Sequence, residues 1–424
     1  MEPSLAALDA ALVRPVPQER QPTWRPARVM MINLGYPPNT IGGTEVLVQS
    51  LARALASQGS AVSVVSLSAD CADRVDDDKG VRAYFVAAHP MGIALLDARR
   101  TALKKVLWHA LGELNIWSAR KLTAILAQDR PDIIHTHSLL GLSTIVWNVA
   151  RAHGIPIVHT LHDYQLLCPR GTMFRGNHPC GTQCKACCWL TLRRRRASCI
   201  PNAVVGISDS ILRAHREKGY FSNAVSRVIP NGLAPSVGDN IRGPRKTSSP
   251  WRIGFIGRLH PIKGVSQFIN ALRKLPSDTY IGKIAGLGSV EYEAQLKASA
   301  QGYPIEFLGW VRPEIFYPQI DLLVVPSLYN EPQGLVLLEA ARMGIPVIYS
   351  NRGGLAEMGS AFPEFIPFDP AAPESLTDAL RVLLAAPPAD LGASFPLPAR
   401  FTGEAFVESY RGLYDGLRTG TVAG

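Results

Sequence analysis

Short runs of apolar residues, each bounded by glycine, proline or polar residues, recur along the first half of the chain. After the first run, Leu47, Leu51 and Leu55 recur at helical spacing, and Gly59 ends that segment before the next run begins. This order of buried strand, amphipathic helix and buried strand is typical of parallel sheets with helices on both faces. The predicted strands of the first half are at 29–34, 61–65, 132–135, 155–159 and 203–207.

The second half of the chain repeats the same pattern. Its predicted strands are at 253–256, 280–284, 305–308, 322–325 and 347–349, with helices between them. The polar, aperiodic segment 236–250 separates the two sets and is predicted to be a linker. We therefore predict an α/β protein of two Rossmann-like, doubly wound domains, 29–235 and 251–395. Because ligands of such sheets bind beyond the carboxyl ends of the strands, both domains should present loops to a shared cleft.

The two ends of the chain lack this pattern. Residues 1–28 are rich in proline and carry mixed charges, which predicts a disordered N-terminal extension. Residues 396–424 are predicted to form a C-terminal helix that packs back on the N-terminal domain. No run approaches the roughly 20 apolar residues of a membrane span, and the first residues do not resemble a signal peptide. We therefore expect a cytoplasmic protein or one peripheral to a membrane.

The segment 326–346 combines two carboxylates with the predicted start of a helix. Glu331 and Glu339 lie at either end of an otherwise uncharged stretch, and Gly334 opens a helical pattern directly after a buried strand. The free N–H groups near Gly334, Leu335 and Val336 would form an anion pocket, as helix N-termini commonly do. The segment is therefore predicted to bind a phosphate, with carboxylates left to hold hydroxyl groups.

The charge of the whole chain favours an anionic partner. The formal net charge of the 424 residues is +10, and the isoelectric point is about 9.3. The sequence contains no zinc-finger spacing, RNP-like strand or basic zipper, so nucleic acid is not an expected partner. Phosphorylated small molecules and anionic lipid headgroups fit the same charge.

Glycine-containing loops follow several predicted strands. Arg258 and Lys263 lie in the loop 257–264, where two cations suit a diphosphate, although an ordinary basic surface loop would have the same composition. The pairs Gly286 and Gly288, and Gly42 and Gly43, would allow either close approach of a ligand or a tight turn.

Histidines also follow predicted strands of the first domain. His135 and His137 end one strand, and His162 with Asp163 ends the next. Side chains at these positions could hydrogen-bond sugar hydroxyls or move a proton, whereas an isolated histidine is more often a satisfied structural residue.

Six of the seven cysteines are clustered between 168 and 199. Cys168, Cys180, Cys184 and Cys187 have spacings that could hold a structural Zn²⁺, and free or redox-labile thiols are the alternative. Four consecutive arginines, 193–196, follow the cluster, and a basic amphipathic segment is predicted at 92–117. The arginines suit an anionic membrane or a lipid-diphosphate acceptor, and a solvated basic turn is the alternative. The segment 92–117 suits a membrane surface, and a core-facing helix with a solvated basic face is its alternative.

Taken in order, these motifs resemble those of the retaining, nucleotide-sugar-dependent glycosyltransferases of family 4, also called glycosyl transferases group 1. The resemblance spans roughly 29–418 and implies the GT-B fold. The matching motifs are Gly42-Gly43-x-Glu45, Ile134-His135-x-His137, His162-Asp163, Pro230-Asn231-Gly232, Gly257-Arg258 with Lys263-Gly264, Gly286-x-Gly288 and Glu331-x7-Glu339.

The resemblance implies roles for the matching residues. The catalytic set would be His162, Arg258, Lys263 and Glu331. The donor-binding set would be Gly43, Gly257, Gly286, Gly288, Val311, Gly334, Leu335, Val336 and Glu339. The acceptor-binding set would be His135, His137 and Asp163. Family members often have an aromatic residue before the glycine of the last motif, and this chain has Gln333, so the donor-sugar preference does not carry over.

The implied activity is transfer of a hexosyl group, with retention, from a UDP- or GDP-sugar to a glycan or lipid-linked acceptor in surface polysaccharide biosynthesis. Family members need no divalent metal for this reaction, so no catalytic cofactor is expected beyond the possible structural zinc. The expected location is the inner face of the cytoplasmic membrane. The alternatives are a sugar-nucleotide epimerase or phosphorylase of the same fold, or a non-catalytic nucleotide-sugar-binding protein.

Overall fold

The structure is a computed structural model, and it describes residues 27–39, 42–68, 72–87, 116–176, 178–233, 250–372, 374–385 and 394–421. The predicted N-terminal extension lies outside the described residues apart from Ala27 and Arg28. The predicted linker does so apart from Pro250, and most of the basic segment 92–117 does so as well.

The N-terminal half contains a mostly parallel sheet and a separate hairpin. The strands are β1 (Arg28–Ile32), β2 (Ala61–Ser68), β3 (Arg74–Asp78), β4 (Val81–Ala87), β5 (Ile133–Thr136), β6 (Ile157–Leu161), β7 (Phe174–Arg175), β8 (His178–Pro179), β9 (Ala203–Gly206) and β10 (Val225–Val228). The helices are α1 (Gly43–Ser57), α2 (Ile116–Asp129), α3 (Ile145–Ala152), α4 (Lys185–Leu190), α5 (Leu192–Ala197) and α6 (Asp209–Arg216).

Eight of these strands form one sheet in the order β10-β9-β6-β5-β1-β2-β4-β3. The central strands are buried on both faces, which is typical of parallel sheets covered by helices. The antiparallel edge strand β3 was not predicted, because its sequence is polar and its residues are largely exposed. The strand order reverses between β1 and β5, so the loops after these two strands open onto one crevice.

The C-terminal half contains a second parallel sheet. Its strands are β11 (Trp251–Ile256), β12 (Tyr280–Ala285), β13 (Ile305–Gly309), β14 (Leu322–Val325), β15 (Val347–Ser350) and β16 (Ile366–Phe368). Its helices are α7 (Val265–Leu272), α8 (Val290–Ala300), α9 (Pro313–Phe316), α10 (Leu335–Arg342), α11 (Gly353–Gly359) and α12 (Ser375–Ala385). The sheet order is β13-β12-β11-β14-β15-β16, so the order reverses between β11 and β14.

The last helix, α13 (Gly403–Thr419), packs on the N-terminal sheet. Phe406, Tyr410 and Tyr414 share a core with Val29 and Met31 of β1. Because this helix follows the C-terminal sheet in sequence, the chain crosses between the two halves a second time. None of the helices within the described residues is both long and apolar enough to cross a membrane.

The two crossing segments touch each other. Leu233 and Thr402 form a parallel bridge, and the Leu233 N–H donates to the Phe401 carbonyl at 3.3 Å. A Cβ on Gly232 would lie 2.5 Å from the Thr402 carbonyl oxygen, so only glycine allows this approach. The glycine of the Pro230-Asn231-Gly232 motif therefore has a structural role between the two halves.

Candidate active site

The loops after β11 and β14 meet at the point where the strand order of the C-terminal sheet reverses. Gly264 has φ 71°, and a Cβ there would lie 1.8 Å from the Pro326 carbonyl oxygen. The Leu328 N–H also donates to the Ile262 carbonyl at 2.8 Å. These contacts bring the loop that carries Lys263 against the loop that carries Glu331.

Lys263 and Glu331 form an ion pair between these loops. Lys263 Nζ lies 2.8 Å from Glu331 Oε1, and the Ser327 hydroxyl donates to the same carboxylate oxygen. Glu331 is 6% exposed. Burial opposes the charge of Lys263, but the Glu331 carboxylate outweighs it, so the pKa of Lys263 is raised. Lys263 is therefore held in its charged form, against a carboxylate that is largely buried.

The loop between β14 and α10 is held in an unusual backbone conformation. Gly334 has φ 111°, and a Cβ there would meet the Leu355 side chain at 2.3 Å. The Gly354 N–H, at the start of α11, donates to the Glu331 carbonyl at 2.7 Å. Helix α10 then begins at Leu335, so the N–H groups of Leu335 and Val336 lie in its first turn, where helices offer donors to anions.

Glu339 lies one turn into α10 and is held by a tyrosine. The Tyr317 hydroxyl donates to Glu339 Oε2 at 2.6 Å. Burial raises the pKa of Glu339, while the hydrogen bond from Tyr317 acts in the opposite direction and Glu314 adds to the rise. A half-buried carboxylate with one oxygen already positioned is suited to accept hydrogen bonds from vicinal hydroxyl groups.

Two predicted donor-binding glycines are explained by contact between loops. A Cβ on Gly286 would lie 1.8 Å from the Gly257 carbonyl oxygen, and one on Gly288 would lie 2.3 Å from that of Leu259. Gly257 itself has φ 149°. Packing between neighbouring strand ends therefore accounts for Gly286 and Gly288 without a ligand, and the positive φ of Gly257 favours glycine at that position. Arg258 is exposed in this loop.

Val311 is half-buried just after β13, beside a tryptophan that is open to solvent. The neighbouring Trp310 is 70% exposed. This large aromatic side chain at a strand end is available for stacking on a planar ligand.

Gly43, in the N-terminal half, differs from Gly286 and Gly288 in that no described residue would closely contact a side chain at its position. It is the first residue of α1, and the neighbouring Gly42 N–H donates to Glu45 Oε2 at 2.8 Å. A Cβ on Gly43 would meet no atom of the described residues within 4 Å. Packing against the described residues therefore does not require glycine at this position. Among these residues, the start of the helix has open space beside it.

His137 and His162 form a pair at the ends of β5 and β6. His137 Nδ1 lies 3.0 Å from His162 Nε2. Burial lowers the pKa of His137, and burial lowers that of His162 to about 4. Both imidazoles are therefore neutral at pH 7, and the Nε2 atom of His137 is buried without a hydrogen-bond partner in the structure.

Asp163 and Arg194 complete the pocket around these histidines. Burial raises the pKa of Asp163 to about 6, although a hydrogen bond from the Gln165 N–H and the charge of Arg194 act against the rise. Arg194 is buried and donates to the Gln165 carbonyl at 2.7 Å. The pocket is lined by apolar and small polar residues together with His137, His159, His162, Asp163, Gln165 and Arg194.

The prediction that His135 binds an acceptor is wrong. His135 is completely buried, and its Nδ1 and Nε2 atoms lie 2.6 Å from the Tyr414 hydroxyl and 2.7 Å from the Thr160 hydroxyl. Tyr414 of α13 covers His135, and the local sequence pattern could not reveal this contact. His135 fixes the last helix to the N-terminal sheet.

The structure places Gln333 in the interior of the protein. Gln333 is 4% exposed, and both ends of its amide contact the backbone of Asn231. Its side chain therefore joins two parts of the protein.

The predicted zinc ligands lie near one another in the N-terminal half. Cys168 is buried, and Cys180 and Cys187 pack against the same core. The Cys187 thiol, whose pKa is raised by burial and by its neighbours, contacts those of Cys184 and Cys168. Across the described ranges, however, no three His, Cys, Asp or Glu side chains are arranged to hold a metal ion. Zinc therefore stays a prediction from the spacing, which metal analysis of the purified protein can test.

Several residues of the site were missed by the sequence analysis. Ser327 directly follows a buried strand, as His162 does, so the same signal could have found it. Tyr317 and Arg194 carry no comparable local signal, because their contacts with Glu339 and Gln165 arise from tertiary packing. Helix α5 turns Arg194 inward, while Arg193, Arg195 and Arg196 are exposed, so the four arginines do not form one surface.

The fold and this site define a glycosyltransferase. Residues 41–237 match the model of Glycosyltransferase Family 4, and residues 250–386 match that of Glycosyl transferases group 1. The chain belongs to this family, has its GT-B fold, and is an enzyme of the hexosyltransferase class.

Individual relatives agree with this assignment. An uncharacterized 42.6 kDa protein in the cps region of Klebsiella pneumoniae is 30% identical over 336 residues, covering 79% of this chain and 88% of the relative. An uncharacterized glycosyltransferase of Methanocaldococcus jannaschii is 25% identical over 351 residues, with coverage of 78% and 82%.

Solved structures show the same fold. The sucrose-phosphate synthase of Thermosynechococcus elongatus superposes with a TM-score of 0.73 at 20% identity, over 93% of this chain and all (100%) of the other. HepE of Anabaena, in complex with UDP and glucose, superposes with a TM-score of 0.65 at 17% identity, over 92% and 99% of the two chains.

Proposed function

We propose that the protein transfers a hexosyl group, with retention, from a UDP- or GDP-sugar to a hydroxyl of a glycan or lipid-linked acceptor. The observation that carries this proposal is the Lys263–Glu331 ion pair, 2.8 Å long, at the reversal point of the C-terminal sheet. A cation and a carboxylate held together there can serve the two parts of such a donor. Lys263 suits the diphosphate, and Glu331 suits the sugar hydroxyls.

Other residues would contact the remaining parts of the donor. Arg258 adds a second cation for the diphosphate, and the N–H groups of Leu335 and Val336 add neutral donors from the start of α10. Glu339 would accept from the ribose hydroxyls. Backbone near Val311 would meet the base. His162 would contact the sugar from the N-terminal half, where its neutral imidazole can donate one hydrogen bond and accept another.

In the transfer step, the bond between the anomeric carbon and the diphosphate oxygen breaks while the acceptor oxygen bonds to the same face of that carbon. The acceptor hydroxyl loses its proton to the departing phosphate oxygen, which balances the charge. Lys263 and Arg258 stabilise the negative charge that develops on the diphosphate. None of these steps requires a metal ion or a titrating histidine.

The acceptor side of the proposal rests on the N-terminal half. The pocket of His137, His162, Asp163 and Arg194 combines hydrogen-bonding groups with one cation, as expected for a polar acceptor. The relative from Klebsiella pneumoniae is described as a protein of a cps region, which supports a role in surface polysaccharide synthesis.

We extend the proposal to a peripheral position on an anionic membrane. Trp189 is 68% exposed, and Leu192 is exposed beside it. Arg193, Arg195 and Arg196 are exposed on the following helix. Exposed apolar side chains next to several arginines suit the surface of a bilayer that contains anionic lipids, where a lipid-linked acceptor would be found.

The proposal is tested by substituting each member of the ion pair. Lys263→Ala and Glu331→Ala should each lower the rate of transfer roughly 100- to 1000-fold, because each removes a charge placed against the donor. Transfer is measured as nucleotide released from UDP- and GDP-sugars in the presence of glycan or lipid-linked acceptors.

The matched control is Lys283→Ala, which breaks an ion pair of 2.6 Å with Glu306 on strands β12 and β13. This variant should transfer at nearly the wild-type rate. Near-normal turnover by the Lys263 and Glu331 variants would contradict the proposal, as would nucleotide-sugar binding by the wild type without nucleotide release.

A further inference from the structure

The Gln333 side chain connects the C-terminal half to the segment that leaves the N-terminal half. The Asn231 N–H donates to Gln333 Oε1 at 3.0 Å, and Gln333 Nε2 donates to the Asn231 carbonyl at 3.0 Å. Asn231 follows β10, and Gln333 lies in the loop between β14 and α10. Both residues are buried, at 3% and 4% exposure, so these hydrogen bonds are shielded from water.

Gln333 lies in the segment 326–334 between β14 and α10, here called the donor loop. It is between two residues that the proposed donor site uses. Glu331 is two residues before it, and Gly334, which sets the start of α10, follows directly. The backbone of the loop is also held from the other side, where a Cβ on Gly354 would lie 2.2 Å from the Pro332 carbonyl oxygen. The orientation of this loop therefore depends on α11 on one side and on Asn231 on the other.

A second contact between the two halves involves the same helix α11. The Glu357 carboxylate accepts hydrogen bonds from the Asp209 N–H at 2.8 Å and the Ser210 N–H at 2.5 Å, at the start of α6. The donor loop is thus packed between two points at which the halves meet. Movement of one half relative to the other would act on the loop through both points.

We infer that Gln333 is a positioning residue, which sets the Glu331 loop relative to the N-terminal half through its paired hydrogen bonds to the Asn231 backbone. A carboxamide offers a donor and an acceptor side by side, matching the N–H and carbonyl of one residue. This inference rests on the proposed role of Glu331 at the donor sugar. It predicts that Gln333 affects the transfer step far more than nucleotide binding, because Arg258, Lys263 and Glu339 belong to the C-terminal half alone.

The first test compares Gln333→Met with Asn231→Ala. Methionine has a similar volume but cannot make the paired hydrogen bonds, so kcat should fall on the order of 10-fold or more. The dissociation constant of the nucleoside diphosphate should stay within about threefold of the wild-type value. Asn231→Ala keeps the backbone groups that Gln333 contacts, so its kcat should fall much less.

The second test uses the pH dependence of Gln333→Glu. A protonated glutamic acid can donate to the Asn231 carbonyl and accept from the Asn231 N–H, whereas the carboxylate cannot donate. Burial raises the pKa of such a carboxyl. The activity of this variant relative to wild type should therefore rise as the pH falls from about 8 to 5.5, whereas Gln333→Met relative to wild type should show no such rise.

The outcomes separate this inference from the proposed function. Lack of nucleotide release by the wild type would overturn the proposed donor chemistry. If the wild type is active, wild-type kcat in both Gln333 variants would overturn the positioning role. An equal loss of nucleotide affinity and kcat in Gln333→Met, with a lowered melting temperature, would also overturn it and assign Gln333 a purely structural role.

Discussion

The edges of the two sheets that carry the candidate site differ in charge. The C-terminal edge holds charged groups, with Lys263 and Glu331 paired at 2.8 Å and Arg258 exposed nearby. The N-terminal edge has two neutral imidazoles at its centre, His137 and His162, 3.0 Å apart, and its charged residues Asp163 and Arg194 line the same pocket. A donor diphosphate needs fixed charge, and an uncharged acceptor hydroxyl needs hydrogen bonds. One fold, used twice in this chain, is therefore specialised by the residues at its strand ends.

The strongest predicted effect is a loss of folding stability in acid, caused by buried histidines of the N-terminal half. Burial lowers the pKa of His159 to about 3 and those of His162 and His215 to about 4, from an ordinary value of 6.5. Between pH 6.5 and about pH 4, the unfolded chain therefore binds protons on these imidazoles that the folded chain does not bind. Stability should therefore fall as the pH drops from about 6.5 toward 4, by about 1.4 kcal/mol per pH unit for each net proton.

Asp163 acts with the opposite sign, because its pKa is raised to about 6 in the folded protein and is 3.8 ordinarily. Glu339, whose pKa is also raised by burial, acts in the same direction as Asp163, but the buried imidazoles, which include His137, outnumber these two carboxyls. Urea unfolding at pH 7 and pH 5.5 measures the effect, and His215→Gln should make it smaller. A free energy of unfolding that is independent of pH in this range would contradict the buried, neutral state of the histidines.

The next prediction concerns His162 in catalysis. His162→Ala should lower kcat about 10- to 100-fold, because a hydrogen bond to the transferred sugar is lost. Since the imidazole is already neutral, the ratio of variant to wild-type rates should be constant from pH 6 to pH 8. His178→Ala, in the exposed hairpin, is the control. A ratio that changes tenfold across this pH range would indicate a titrating base.

A smaller effect is expected where α13 joins the N-terminal sheet. Tyr414→Phe removes the hydroxyl 2.6 Å from His135 Nδ1 and leaves that nitrogen buried without a partner. The free energy of unfolding should fall by about 1–3 kcal/mol. Tyr292→Phe removes an exposed hydroxyl 3.0 Å from Ser266 and should cost less. Equal effects of the two substitutions in urea unfolding would argue against a structural role for the His135 contact.

The smallest effect is expected at the proposed membrane surface. Trp189→Ala should weaken binding to vesicles that contain anionic lipids by about 5- to 10-fold, since it removes an exposed aromatic side chain. Transfer to a soluble acceptor should be unaffected. Binding is measured by sedimentation with anionic and with zwitterionic vesicles. Failure of the wild type to prefer anionic vesicles would refute this part of the proposal.

The sequence was sufficient to predict the two Rossmann-like domains and to single out the charged residues of the candidate donor site. Buried strands with helices between them are a local pattern, and Lys263, Glu331 and Glu339 stand out as charged residues after or between apolar runs. Their pairing could not be predicted, because the 2.8 Å contact depends on Gly264 approaching Pro326 across two loops.

Contacts between distant parts of the chain account for the errors. His135 has the same strand-end position as His137, yet a helix 279 residues later covers it. The role of Gln333, which lies within the Glu331-x7-Glu339 motif, was not predicted, because its partner is 102 residues earlier in the chain. Such pairings depend on how the halves and the last helix pack, and neither hydrophobic periodicity nor spacing contains that information.

The most direct test of the account is whether the C-terminal half binds a nucleoside diphosphate through Lys263. Thermal unfolding of the wild type and of Lys263→Ala is measured with increasing UDP, GDP or ADP. For the wild type, UDP or GDP should raise the melting temperature in proportion to the logarithm of the ligand excess, and Lys263→Ala should respond only at much higher concentrations. An equal response of both proteins, or no response of the wild type to UDP or GDP, would contradict the account.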